Sequence, residues 1–228
     1  MPRLWIAFAP YIAVSLIHVV ALAGHAETIA GPTKLLLMPL LAVAVVWGGR
    51  DAPWSRTHTL LVAAIALSWL GDAAGVFFPW APTVPMMLLW FGLAHLCYIW
   101  LFWRVLAVRR LPAWAAVYAV WWMALLAVLW SDLGSLLIPV ALYGLVLGAT
   151  AAGAARCHPV IAWGGVFFLA SDTILAFRLF VPDAMPDWTS PLVMLTYCLG
   201  QGLIAAGVLR AERLRSEPLQ AAGTEVPA

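Results

Sequence analysis

Apolar residues run in long blocks along this chain, and polar residues are confined to short gaps between them. The blocks fall at Leu4–Ala23, Leu35–Trp47, Thr59–Phe78, Val84–Trp103, Trp114–Trp130, Ser135–Ala155, Val160–Phe180 and Pro191–Leu209. Most approach the roughly 20 residues that a helix needs to cross a hydrocarbon core. Inside lipid the backbone must satisfy its own hydrogen bonds, so each block predicts a helix. The second block is short, and its helix is expected to begin nearer Gly31. Pro32, Pro53, Pro79, Pro82, Pro112, Pro159, Pro182 and Pro186 are read as lying between helices, where a missing N–H breaks nothing. Pro10, Pro39 and Pro139 fall inside them. The pattern predicts an all-α polytopic membrane protein of about eight transmembrane helices over residues 1–215. The polar segment 216–228 is expected to be a disordered tail.

The first block imitates a secretory signal, with Arg3, an apolar run and Ala21-Leu22-Ala23 in the order such a signal uses. The run is longer than the about 7–15 apolar residues of a signal, which favours a first spanning helix.

Composition agrees with the pattern. Of 228 residues, 65% are hydrophobic and 10% charged. Soluble domains have about 45–50% and about 25%. The net charge of +2 contains no basic block, so nucleic acid is not an expected partner. Cys97, Cys157 and Cys198 form no C-x-x-C pair and read as small buried hydrophobes. The chain contains no Asn and hence no N-glycosylation site.

The placement of charge predicts orientation. Arg3, Arg50, Arg56, Arg104, Arg109, Arg110, Arg156, Arg210, Arg213 and Arg215 fall at the N-terminus, on even-numbered connections or at the C-terminus. Odd-numbered connections carry Glu27, Asp132, Asp183 and Asp187, with Lys34 and Arg178 at their margins. Positive residues stay inside, so both termini are expected in the cytoplasm. Rich Arg and scarce Lys suggest a bacterial inner (cell) membrane.

A faint internal repeat is expected. The third block contains Ser68-Trp69-Leu70-Gly71-Asp72 and the seventh Phe168-Leu169-Ala170-Ser171-Asp172. The block after each aspartate carries polar groups, His95 and Tyr98 in one case and Tyr197 and Gln201 in the other. A shift by four helices preserves direction, which makes this a 4+4 parallel repeat.

Asp72 and Asp172 are the only acids inside the blocks. A charged Asp at the centre of a membrane helix costs at least about 2.5 kcal/mol, so such residues are functional by default. Both helices run in the same direction, which puts the two carboxyls at similar depth and allows one pocket. Two carboxyls sharing a proton are an acid beside an anion, able to deliver a proton and position a water. Ser68 lies one turn before Asp72, with its own helix carbonyl as the competing partner for its hydroxyl. His95 and Tyr98 share a face, and His95 is either a packed core histidine or part of the site. Tyr143, Tyr197 and Gln201 are further hydrogen-bonding groups for the same cavity. Lys34 and Arg178 either hold a phosphate or snorkel to the interface.

Metal and nucleophile chemistry read poorly. His18, His25, His58, His95 and His158 show no ligand spacing, and neither H-E-x-x-H nor G-x-S-x-G occurs. Lys34 is the only Lys and lies too near a block end for a buried Schiff base.

Several of these pieces resemble the YhhN-like family of lysoplasmalogenases. They are Thr33-Lys34, Ser68-x-x-Gly71-Asp72, Ala94-His95-x-x-Tyr98 with Phe102, Gly165-x-x-Phe168-x-x-Ser171-Asp172-x-x-Leu175-Ala176, and Tyr197-x-x-x-Gln201-x-Leu203-Ile204. Leu35 departs from the proline expected after the lysine. The resemblance implies hydrolysis of the vinyl ether bond of a lysoplasmalogen to a fatty aldehyde and glycerophosphoethanolamine or glycerophosphocholine. It implies Asp72 and Asp172 as the catalytic pair, and it requires no metal or organic cofactor. Lys34, Ser68, His95, Tyr98, Tyr143, Ser171, Arg178, Tyr197 and Gln201 are then the expected substrate-binding residues, and a lysophospholipid from the membrane is the expected partner. A proton-coupled transporter would also use intramembrane aspartates. An aspartyl protease of the membrane would want G-x-G-D, where this chain has Trp69-Leu70-Gly71-Asp72.

Overall fold

A computed structural model of the protein describes residues 2–50 and 53–223. Its long elements are α1 (Pro2–Ala23), α2 (Glu27–Gly49), α3 (Arg56–Asp72), α5 (Thr83–Trp100), α6 (Val117–Leu129), α7 (Leu137–Ala154), α8 (Pro159–Phe180) and α9 (Thr189–Gly223), with a single turn, α4 (Ala74–Phe77), after α3. Among the described residues no strand forms. Six helices are long and apolar enough to cross a membrane: Trp5–Ala23, Glu27–Gly49, Thr83–Val105, Gly134–Ala154, Pro159–Phe180 and Thr189–Arg215. The chain is an all-helical integral membrane protein.

The remaining two expected spans are helical but short. α3 has 17 residues, and a 3-10 turn before α6 gives an apolar stretch at Ala113–Leu129. At 1.5 Å per residue, 17 residues reach about 25 Å, less than the roughly 30 Å core. The third block is broken where the sequence predicts continuity. α3 stops at Asp72, and the chain turns through Ala73 before α4. The last turn is held by the Ala73 N–H on the Trp69 carbonyl at 3.0 Å, and the Trp69 indole packs edge-on against Phe77 at 5.0 Å. α2 begins at Glu27, earlier than expected, so Pro32 lies inside a helix rather than between two. The acceptor that loses its donor is the Thr28 carbonyl, one turn before the proline and in the first turn of the helix. α9 continues to Gly223, into the segment read as a tail; residues 224–228 lie outside the described residues.

Seven helices form a closed ring, each packed on the next: α1, α2, α3, α5, α7, α8, α9 and back to α1. α6 stands outside, against α7 and α8. α9 is the most buried of the six long spans. Its approach to α8 is set by glycine. A Cβ on Gly164 would lie 2.8 Å from the Ile204 backbone nitrogen, and one on Gly200 would lie 2.8 Å from the Phe168 nitrogen. Small residues of this kind let membrane helices pack backbone to backbone.

Many of the arginines at one end of the ring close off helix carbonyls. Arg213 donates to the Gly48 carbonyl at 2.6 Å and Arg109 to that of Ala155 at 2.8 Å, while Arg156 lies 4.9 Å from the Trp103 ring centre. Cations at helix C-termini satisfy orphan acceptors and the helix dipole together. At the same end Glu212 accepts from Ser55 at 2.8 Å and Thr57 at 2.9 Å, tying α9 to the start of α3. Cys157 and Cys198 are buried and Cys97 partly so, all as free thiols.

Candidate active site

Helical spacing brings the polar groups of the interior together in two clusters. On α9, Tyr197 and Gln201 stand one turn apart on one face. Tyr197 donates its hydroxyl to Asp72 Oδ2 at 2.7 Å. Gln201 Nε2 donates to Ser68 Oγ at 3.0 Å and to the Tyr197 oxygen at 3.5 Å, and its Oε1 accepts from Tyr98 at 2.6 Å. Ser68, Tyr98 and Gln201 are fully buried. Each is occupied by another member, so the cluster holds the Tyr197 hydroxyl against Asp72.

The second cluster belongs to Asp172. Tyr143 on α7 donates its hydroxyl to Asp172 Oδ2. The Tyr143 oxygen also lies 3.4 Å from His95 Nε2, an approach without a proton between them once the Tyr143 proton is on Asp172. His95 Nδ1 lies 3.1 Å from Thr150 Oγ1, and that hydroxyl already donates to the Val146 carbonyl at 2.9 Å. Thr150 is therefore the acceptor, which assigns the proton of His95 to Nδ1. His95 is wholly buried and bonded, a packed member of the network. Ser171 is buried with its hydroxyl on the Val193 carbonyl at 3.0 Å, pinning α8 to α9.

Aromatic rings divide the clusters. Phe168 lies 4.8 Å from His95 and 5.5 Å from Tyr197, and Phe91 lies 6.0 Å from Tyr197. Gly71 makes room for this packing: a Cβ there would sit 2.6 Å from the Phe91 ring. Asp72 and Asp172 are each only half-buried, and they lie within electrostatic reach of each other. Lys34 stands within electrostatic reach of Asp72.

Among the cavities that reach this region, two carry its charged groups. One of about 60 Å³ is lined by Asp172 and Tyr143, with an apolar wall that includes Met87, Phe91, Leu147 and Leu179. The other, of about 330 Å³, is lined by Lys34, Arg178, Glu27 and His18. Leu175 belongs to both walls. The polar residues expected in one shared cavity are thus distributed. Tyr143 and Asp172 face the apolar cavity and Lys34 and Arg178 the charged one, Asp72 and Tyr197 line neither, and Ser68, Tyr98 and Gln201 hold Tyr197 from behind. Thr150, Phe91, His18 and Glu27 were not among the expected site residues. The one signal for Thr150 is its position seven residues after Tyr143, on the same stripe of α7.

A family model described as the YhhN family matches residues 29–208. The chain belongs to the YhhN family. Lysoplasmalogenase TMEM86B of Rattus norvegicus is 27% identical over 181 residues, which is 78% of this chain and 72% of that protein. No solved structure matches the chain significantly. The YhhN match runs from α2 well into α9 and takes in Lys34, both aspartates and both of their tyrosine partners. His18 and Glu27 lie before it.

Proposed function

We propose that this YhhN protein hydrolyses the vinyl ether bond of a lysoplasmalogen, with Asp72 and Asp172 as anion and acid. The observation that carries this reading is the pair of half-buried carboxyls, each held by a tyrosine hydroxyl and within electrostatic reach of the other. A vinyl ether is cleaved by protonation of its outer alkene carbon. The alkene electron pair takes the proton, and the cation left behind is shared between the inner carbon and the ether oxygen. That step needs a neutral acid and a nearby anion. Asp172, which lines the apolar cavity, donates the proton to the alkene of a chain lying there. Asp72, with Lys34 in reach, is the carboxylate that stabilises the cation and takes a proton from the attacking water. In the collapse of the hemiacetal, Asp72 gives the proton it took from water to the leaving glycerol oxygen and Asp172 takes the proton of the hemiacetal hydroxyl, so the C–O bond breaks to a fatty aldehyde and a glycerol hydroxyl. One water is consumed, and Asp172 is again the acid and Asp72 the anion.

The same reading covers the frame. The short helices α3 and α6 complete eight spans, with the arginine-rich end and both termini in the cytoplasm of a bacterial inner membrane. Support for a 4+4 repeat comes from helix pairing. α1–α2, α2–α3, α3–α5 and α5–α7 all pack, and so do their four-helix counterparts α6–α7, α7–α8, α8–α9 and α9–α2.

The experiment is aldehyde release by purified protein in detergent, from a lysoplasmalogen and from a 1-acyl lysophospholipid. Release from the vinyl ether alone is expected. A transporter, which needs two compartments, would release nothing, and equal cleavage of the ester would contradict alkene protonation.

A further inference from the structure

The apolar cavity beside Asp172 is too small for the chain that the proposed reaction brings to it. Its volume is about 60 Å³. An apolar cavity of about 150 Å³ holds a benzene ring, six carbons, so this one holds about two or three. A lipid chain crosses one leaflet, about 15 Å of hydrocarbon, and has about a dozen carbons or more. Most of the chain must therefore lie outside the ring of helices.

Two surface grooves adjoin the cavity, each of about 540 Å³. One lies between α6 and α7 and shares only Gly144 with it. Trp122 closes that contact. A Cβ on Gly144 would lie 3.0 Å from Trp122 Cδ1, and the Trp122 indole is fixed by its bond to the Ala141 carbonyl at 2.9 Å. This groove leads away from the carboxyls, toward Pro112 and Ala152 at the arginine-rich end. The other groove lies between α5 and α7 and shares Leu88 and Tyr143 with the cavity, both only partly buried.

Tyr143 joins the two spaces in one side chain. Its hydroxyl is on Asp172, and its ring lines the groove. The ring edge is bare because Gly92 stands opposite: a Cβ there would meet nothing nearer than Tyr143 Cδ2 at 4.0 Å. The flanks are exposed apolar side chains, Leu89, Leu93 and Leu96 of α5 and Ile138 and Leu142 of α7. In a membrane such a surface meets hydrocarbon. The groove follows α5 from Pro85 to Leu96, about 16 Å at 1.5 Å per residue. That is the depth of one leaflet.

We propose that the groove between α5 and α7 seats the substrate's own hydrocarbon chain. The head end of the chain passes Leu88 and the Tyr143 ring and brings the alkene to Asp172. The remainder runs along the groove toward Leu96 and Val146, with its terminal methyl nearest the bilayer centre. The proposal rests on the lysolipid reading above, but its test uses no turnover.

The probe is a non-cleavable 1-alkyl lysophosphatidylcholine with a diazirine at the end of a chain of about 16 carbons, enough to cross a leaflet. It is photolysed with the full-length protein in diacyl phosphatidylcholine vesicles, and labelled residues are mapped by mass spectrometry. Labelling near Leu96 and Val146 should saturate, and the same lysolipid without the diazirine should displace it although diacyl lipid surrounds the protein. Gly92→Leu puts a four-carbon side chain against the bare ring edge. It should weaken the long probe about tenfold, the scale that overpacking sets, and spare a probe of about three carbons that ends inside the cavity. Retained binding of the short probe excludes misfolding. Ala119→Leu, at an exposed position of the α6–α7 groove, should affect neither probe. Labelling at Met123 or Leu145 in the α6–α7 groove, labelling that neither saturates nor is displaced, as bulk lipid gives, or an equal effect of Gly92→Leu on both probes would each overturn the proposal. Saturable labelling of the α5–α7 groove without vinyl ether cleavage would sink the proposed reaction and leave the chain seat standing. Cleavage with the chain end in the other groove would do the opposite.

Discussion

Replacing Gly200 by alanine tests the helix contact on which the site is built. α8 carries Asp172 and α9 carries Tyr197, so their separation sets how the two clusters meet. A Cβ at Gly200 would lie 2.8 Å from the Phe168 nitrogen, 3.1 Å from its Cα and 3.1 Å from the Gly164 carbonyl oxygen. These are backbone atoms of a helix and cannot rotate aside, so α8 and α9 must part by a few tenths of an ångström. Overpacking of this kind costs about 1–3 kcal/mol. Alanine returns about 1 kcal/mol of helix propensity. The net loss is about 0–2 kcal/mol, which for a chain of this size lowers Tm by up to about 8 °C and leaves the variant about 1–3 kcal/mol below a glycine-to-alanine change that meets no clash. Gly92→Ala is the matched control. It sits inside α5, and its Cβ would meet nothing closer than Tyr143 Cδ2 at 4.0 Å. The control should melt at or above the native temperature, since only the propensity gain remains. The assay is tryptophan fluorescence on heating in detergent, paired with aldehyde release at a temperature where both variants stay folded. Gly200→Ala should be less stable and less active. If it melts with Gly92→Ala, the helices are not in backbone contact and the geometry between the clusters is wrong.

Tyr143→Phe and Tyr197→Phe each remove one hydroxyl from a carboxyl and leave the ring. Turnover should fall about 10²-fold or more, as when an organising hydrogen bond at a reacting group is lost, while KM and Tm change little. Gln201→Leu leaves the fully buried Ser68 and Tyr98 hydroxyls unpaired. It should cost about 1–3 kcal/mol and lower Tm as well as activity, in contrast to the tyrosine variants. Reporter fusions at residue 228 and in the Pro182–Pro186 connection should place the first in the cytoplasm and the second outside. A C-terminus outside would contradict the eight-span topology.

Much of this architecture was legible in the sequence. Hydropathy located every long helix, because in lipid the length of an apolar run translates directly into a helix. The two aspartates stood out for the same reason, as charge in the wrong solvent. Long-range pairings were less accessible. Nothing local to Tyr143 announces Asp172 as its partner, because α7 and α8 meet only in the folded ring. The break after Asp72 was also hidden. Ala73 is neither glycine nor proline, and the turn is held by packing of Trp69 on Phe77. Pro32 suggested a helix boundary, yet it lies inside α2, one turn past the helix start at Glu27. Glu27 read as an acid of the first connection and His18 as one of five histidines without ligand spacing, and the fold sets both beside Lys34 and Arg178.

The most direct test of the aspartate pair compares Asp72→Asn, Asp172→Asn and the double variant with the native protein. Asparagine keeps the size and hydrogen-bonding capacity but can neither donate the proton nor carry the charge. Each single variant should lose aldehyde release from a lysoplasmalogen while keeping or raising Tm, because Asp72→Asn removes an ionised group from a low-dielectric site and Asp172→Asn exchanges a neutral carboxyl for a neutral amide of the same size. The double variant should be little worse than either single one, since members of one catalytic unit are not additive. A variant that keeps near-native turnover, or that loses activity and folding together, would contradict an acid–anion pair at Asp72 and Asp172.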